Sequence, residues 1–195
     1  MTGRQQILKA VYPLWSWYTK LRNKKSKMLS NENNVQPIQS LYDLKIALNS
    51  GDTLSLSSLK GKKILFVNTA SDCGFTPQYN DLQILYEENK NKLMVIGFPA
   101  NDFGEQEKEG DEKIAEFCKS NFGITFPLAK KSTVVKSPEQ NIIFKWLTNE
   151  KLNGWNKQAP TWNFSKYLIN ENGMLVNYFD ASVSPDSEEI MKALQ

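Results

Sequence analysis

The alternation of apolar and polar positions changes character near residue 36. Before it, Ile7, Leu8, Val11, Leu14, Trp15, Tyr18 and Leu21 recur at helical spacing and define one apolar face. Lys9, Pro13, Ser16 and Lys20 interrupt any continuous run, so this is neither a membrane-spanning helix nor a clean signal-peptide core. A Lys/Arg cluster follows, and the Asn-rich stretch from Ser30 to Pro37 reads as a linker. An aromatic face with basic flanks predicts an interfacial helix, with peripheral membrane contact through residues 4–27. A helix packed on the domain, or a frayed tail, accounts for the same pattern.

From Ile38 the pattern becomes regular. Tyr42 to Ala47 and Thr53 to Leu56 flank Asn49-Ser-Gly-Asp52 as a hairpin-like pair. The apolar run Lys63 to Asn68 predicts a buried strand, Gln78 to Lys90 a helix with Leu82, Leu85 and Tyr86 on one face, and Leu93 to Phe98 a second buried strand parallel to the first. Asp111 to Asn121 reads as a helix with Ile114, Phe117 and Cys118 together on it. A short strand is expected at Phe126 to Leu128, and a helix from Ser137-Pro138 through Leu147. An antiparallel hairpin is expected from Tyr167–Ile169 and Leu175–Phe179, joined through Glu171-Asn-Gly173. The last helix is expected to open at Ser184, with Pro185 in its first position. This order predicts an α/β protein of thioredoxin-like fold, a central mixed β-sheet flanked by helices. Residues 1–36 would be an appendage and residues 37–195 the domain.

Charge and composition narrow the function. Residues 1–31 hold seven basic groups (Arg4, Lys9, Lys20, Arg22, Lys24, Lys25 and Lys27) and no acid, whereas the remainder carries 17 basic against 21 acidic groups. That balance argues against nucleic-acid binding by the domain. The chain has no histidine and two cysteines, so Ser-His-Asp and Cys-His nucleophilic sites are impossible, as are histidine-containing and Cys₄ zinc sites.

One of the two cysteines stands where chemistry is expected. Cys73 lies in the turn between the strand ending at Asn68 and the helix opening at Gln78. Unpaired backbone N–H groups and a helix N-terminus there favour thiolate, the reactive form. Without its surroundings a lone cysteine at a strand end is an ordinary buried residue.

The surroundings are specific. Asn68-Thr-Ala-Ser-Asp-Cys-Gly-Phe-Thr76 resembles the nucleophile motif of the glutathione peroxidase family, with cysteine where some members have selenocysteine. Gly97-Phe-Pro-Ala-Asn-Asp-Phe-Gly-Glu-Gln-Glu107 resembles the second motif and Trp162-Asn163-Phe164 the third, all in order. The resemblance implies that Gln106, Trp162 and Asn163 surround a peroxidatic Cys73, as neutral donors able to stabilise a thiolate without histidine. It further implies that Cys118 is the resolving thiol. Cys118 also sits on the apolar face of its helix, where a free cysteine is a comfortable core residue, and both readings stand.

Three positions depart from the family pattern: Ala100 and Asp102 replace a cysteine and a glutamine, and Thr161 replaces a lysine. Asp102 would oppose thiolate formation if close to the site. No tetramer-forming insertion lies between Phe126 and Trp162, so a monomer is expected. The resemblance implies a thiol peroxidase reducing H₂O₂ and organic or lipid hydroperoxides, with thioredoxin as electron donor and no cofactor or metal. Glutathione as reductant, or a redox sensor relaying oxidation to a partner, are the alternatives. A cytoplasmic site is expected, with membrane association at the N-terminus.

Overall fold

The computed structural model describes residues 3, 5–7, 10–12 and 28–195. Over residues 28–195, seven strands and five helices follow in order: β1 (Met28–Ser30), β2 (Lys45–Ala47), β3 (Thr53–Ser55), β4 (Lys63–Thr69), α1 (Gln78–Asn89), β5 (Leu93–Pro99), α2 (Asp111–Phe122), α3 (Ile142–Leu147), α4 (Glu150–Asn153), β6 (Lys166–Ile169), β7 (Leu175–Phe179) and α5 (Glu188–Ala193). Strands β1-β7-β6-β4-β5 form one mixed sheet, and β2-β3 a separate hairpin. Among neighbouring strands only β4 and β5 run parallel, joined by the helical crossover α1.

The sheet is covered on both faces, which explains why β4 reads as a continuous apolar run. Ile64, Phe66, Ile96, Phe98, Tyr167 and Ile169 pack with α3 through Phe144 and Trp146. Leu65, Val67, Val95 and Leu168 point the other way, against Tyr79, Leu82 and Leu85 of α1, Ile114 and Phe122 of α2, and Ile190 of α5. Both cysteines belong to this second cluster.

Several boundaries differ from expectation. Residues 126–128 contribute one parallel bridge, Gly97 to Leu128, and no strand. Pro127 supplies only its carbonyl, to Gly97 N–H at 3.0 Å, and has no N–H to continue a ladder. A Cβ on Gly97 would stand 2.7 Å from the Leu128 side chain, which would have to shift to admit it. Helix α3 starts at Ile142 because Asn141 caps it, its Oδ1 accepting from Ile143 N–H at 2.9 Å. The last helix is capped by Ser187, not Ser184; Ser184 is buried, with its hydroxyl turned to Asp81 at 3.4 Å. Tyr42 falls in a 3-10 turn ahead of β2.

The N-terminal side adds a strand that the pattern did not reveal. Met28–Ser30 pairs antiparallel with β7, Met28 opposite Phe179 and Ser30 opposite Asn177. Asn31 extends the attachment, its side chain donating to Leu175 O at 3.2 Å and to Val35 O at 2.9 Å. Three residues are too few for a period-two signal, and a basic run precedes them. Of the proposed amphipathic face, residues 5–7 and 10–12 are helical, with Ile7 and Val11 exposed and Tyr12 buried. Leu8, Leu14, Trp15, Tyr18 and Leu21, and the basic positions from Arg4 to Lys27, lie outside the described residues. Among the described residues no helix is long and apolar enough to cross a membrane.

Candidate active site

Cys73 sits four residues beyond the C-terminal end of β4, in a turn closed by Thr76. The Cys73 N–H donates to Thr76 Oγ1 at 2.9 Å, the Thr76 hydroxyl donates to Ala70 O at 2.8 Å, and Thr76 N–H returns to Cys73 O at 3.0 Å. The turn aims one backbone N–H, that of Phe75, at the sulfur at 3.4 Å. Helix α1 starts too late to present free donors to it. The N–H groups of Gln78, Tyr79 and Asn80 are already taken by the carbonyls of Phe75, Thr76 and Pro77.

The other two motifs converge on this turn. Gln106 O accepts from Asp72 N–H at 3.0 Å, so the second motif is stapled beside the cysteine. Asn163 Nδ2 donates to Gln106 Oε1 at 3.0 Å. The side chains of Trp162 and Asn163 lie on the Cys73 side of their motif and pull its thiol down. Gln106 thus stands one step behind, bonded to Asn163. Trp162 is 39% exposed and its ring meets Phe103 at 5.7 Å between centroids.

The family model for glutathione peroxidase matches residues 41–148. Glutathione peroxidase-like peroxiredoxin 2 of Saccharomyces cerevisiae is 40% identical over 158 residues, covering 80% of this chain and 97% of the relative. The glutathione peroxidase homolog BsaA of Staphylococcus epidermidis is 41% identical over 160 residues, covering 80% of this chain and all of the relative (100%). The chain belongs to the glutathione peroxidase family. Among solved structures, Trgpx in apo form aligns with a TM-score of 0.61 at 32% identity, covering 80% of this chain and 96% of that one. A thiol:disulfide interchange protein of the thioredoxin family from Chlorobium tepidum aligns with a TM-score of 0.59 at 17% identity, covering 83% and 98%. That second likeness shows the fold alone, which is thioredoxin-like.

In this thiol peroxidase the resting Cys73 is fully buried. Burial pushes its thiol up, against the opposing pull of Phe75 N–H and the Trp162 and Asn163 side chains. The nearby acid that adds to the rise is Asp72. Asp102, the acid singled out from the sequence, is turned away, its Oδ2 accepting from Val134 N–H at 2.7 Å. Ala100 is buried core, and Thr161 donates to Asp180 Oδ2 at 2.6 Å.

Cys118 of α2 is also a free, buried thiol. Burial pushes it up to about 12, a stronger rise than at Cys73, with the Glu107 carboxylate adding to it and the Tyr79 hydroxyl opposing.

The peroxidase uses residues to which the motifs alone assigned no part. Asn68 holds the third motif twice, accepting Phe164 N–H at 2.6 Å on its carbonyl and donating from Nδ2 to Trp162 O at 3.0 Å. Phe164 has a left-handed φ of 68°, unusual for a bulky residue and the mark of a constrained site. Lys166, fully buried, pins that residue by donating to Phe164 O at 2.8 Å and to Val183 O at 2.7 Å. Its period-two position beside Leu168, inside an apolar strand, was the available sequence signal.

Proposed function

We propose that Cys73 is the peroxidatic residue, held by Trp162 and Asn163, with Gln106 orienting Asn163. The observation that carries this reading is the convergence of the three motifs on Cys73 in a site without histidine: Phe75 N–H on the sulfur at 3.4 Å, Gln106 bonded to Asp72 N–H, and Asn163 bonded to Gln106. Neutral donors favour the thiolate and then hold charge developing on the departing oxygen. The Cys73 thiolate attacks the distal oxygen of H₂O₂ or an organic hydroperoxide, giving the sulfenic acid and water or alcohol.

Cys118 then resolves the sulfenic acid as a Cys73–Cys118 disulfide with release of water. Its burial on α2 requires local opening of that helix before the two sulfurs meet. A dithiol donor, thioredoxin, restores both thiols by exchange. Glutathione is the second reading, supported by the name of the Staphylococcus epidermidis relative. Asp180 beside Thr161 places negative charge where the family's usual lysine would receive an acidic thiol, which favours thioredoxin. The reading includes a cytoplasmic monomer whose catalytic unit starts at residue 28. Residues 4–27 supply its peripheral contact with anionic membranes.

The test is peroxide-dependent NADPH oxidation with thioredoxin and glutathione recycling systems in parallel. Cys73→Ser should abolish turnover with both, and Cys118→Ser should abolish it with thioredoxin. Full thioredoxin-dependent turnover in Cys118→Ser would remove the resolving assignment.

A further inference from the structure

The third motif is not a shape the chain holds by itself, because Phe164 closes it in the left-handed region at φ 68°. Asn68 holds its middle. Its two ends are fastened to one short loop near the far end of the chain, residues 180–184 between β7 and α5. Before the motif, the Thr161 hydroxyl donates to Asp180 Oδ2 at 2.6 Å. After it, Lys166 Nζ donates both to Phe164 O at 2.8 Å and to Val183 O at 2.7 Å.

The loop is itself rigid. Asp180 Oδ1 accepts from the Ser182 N–H at 3.1 Å and the Ser182 hydroxyl at 2.9 Å, and Val183 N–H donates to Asp180 O at 3.0 Å. Its other side is bonded to the first turns of α1. Gln78 Nε2 donates to Ala181 O at 2.8 Å, and the Ser184 hydroxyl donates to Asp81 Oδ2 at 3.4 Å. Gln78 also donates its N–H to Phe75 O at 2.9 Å, inside the turn that carries Cys73. Residues 180–184 therefore join the two halves of the site, the cysteine turn and the Trp162–Asn163 motif, without touching the sulfur.

Two features of the chain point to this loop as more than packing. Lys166 is fully buried, and a buried charge is expensive where an apolar side chain of similar length would fit. Burial lowers its ammonium, and the carboxylates that oppose the loss are Asp180 of the loop and Asp81 of α1, the residues that the loop's own contacts employ. Thr161, one of the departures from the family pattern, spends its hydroxyl on the same Asp180, with the Tyr178 hydroxyl at 3.3 Å as its other neighbour.

We propose that residues 180–184 are a brace that sets Trp162 and Asn163 against the Cys73 turn, with Thr161 and Lys166 as the positioning residues that fasten the motif to it. The inference rests on Cys73 being the peroxidatic thiol and on Trp162 acting as a donor to it. Loosening either fastening moves the donors while leaving every reacting atom in place.

The experiment uses reduced full-length protein, native and as Thr161→Val, Thr161→Ser, Lys166→Met and Trp162→Phe. Iodoacetamide alkylation of Cys73, read by mass spectrometry to separate it from Cys118, is followed from pH 6 to 10. The charged group acting on this thiol is Asp72, which all four variants keep. Stopped-flow reduction of H₂O₂ gives the second rate, and urea unfolding gives stability. Thr161→Val should move the alkylation profile to higher pH and slow peroxide reduction about 10-fold at neutral pH. Thr161→Ser keeps the hydroxyl and should restore both. Lys166→Met should act in the same direction as Thr161→Val. Thr161 is exposed, so its variants fold even where Lys166→Met does not. A native profile and native peroxide rate in Thr161→Val, whatever its stability, would overturn the proposal, as would a Thr161→Ser protein no better than Thr161→Val. Trp162→Phe, run alongside, should shift the profile upward. A native profile and rate in that variant would instead overturn the donor reading on which the proposal rests.

Discussion

Asn163 donates its side-chain amide to Gln106 at 3.0 Å and lowers the Cys73 thiol, so one side chain ties the third motif to the second beside the reactive cysteine. The pair should behave as a unit. Gln106→Ala removes the acceptor that orients Asn163, and Asn163→Ala removes the donor itself. Each should lower the second-order rate of peroxide reduction by about 10- to 100-fold, at or below the cost of an oxyanion-hole donor. The double variant should lose little more than Asn163→Ala alone. Stopped-flow peroxide kinetics on the reduced protein measures all three, and full additivity would contradict the shared role.

Asp72 raises the Cys73 thiol, adding to burial. A thiol raised in the folded protein is protonated at neutral pH and becomes thiolate as pH increases, so the peroxide rate should still be climbing above pH 8. Asp72→Asn removes the negative neighbour and should shift the profile to lower pH, with a faster reaction at pH 7. Trp162→Phe removes a donor and should shift it upward. Iodoacetamide alkylation against pH gives the same ordering independently of peroxide.

Thr76→Val keeps shape but removes the hydroxyl that serves both Cys73 N–H and Ala70 O. Two buried backbone groups lose their partner, which should cost about 1–3 kcal/mol of stability. Because the lost bonds define the turn, the peroxide rate should fall as well. Urea unfolding and single-turnover kinetics check the two effects separately.

Lys166 gives a stability signature. Burial lowers its ammonium to about 7 in the folded protein, from 10.5. Between those values the unfolded chain binds the proton and the folded protein does not, so this residue makes stability rise with pH from about 7 to 10, with a slope of at most ~1.4 kcal/mol per pH unit. The buried thiols titrate at the upper end of that window with opposite sign, so the measured quantity is the native protein minus Lys166→Met. That difference should rise with pH; a flat difference would show that the lysine is not desolvated.

Much of this was legible from residue types and order. The strands and helices around Cys73 were marked by long apolar runs, since β4 and β5 are buried on both faces and read unambiguously. The motifs named Trp162, Asn163 and Gln106 because their chemistry is local to short segments. Contacts between segments were not legible. Whether Asp72 or Asp102 acts on the thiol depends on which backbone N–H captures each carboxylate, and Val134, distant in sequence, captures Asp102. The direction of the Cys73 shift was missed for a similar reason. A turn before a helix suggests exposed donors, whereas the fold spends those donors on neighbouring carbonyls and seals the sulfur from water.

The short strand at Met28–Ser30 decides where the N-terminal segment can be cut. A deletion starting at residue 37 would remove the cover from β7 and leave Asn177 without its Ser30 partner, exposing an unpaired sheet edge prone to self-association. Loss of vesicle binding in such a protein would then report a damaged edge as readily as a missing basic helix. A cut just before Met28 keeps the edge closed, so a change in its behaviour at a membrane does not come from an opened β7.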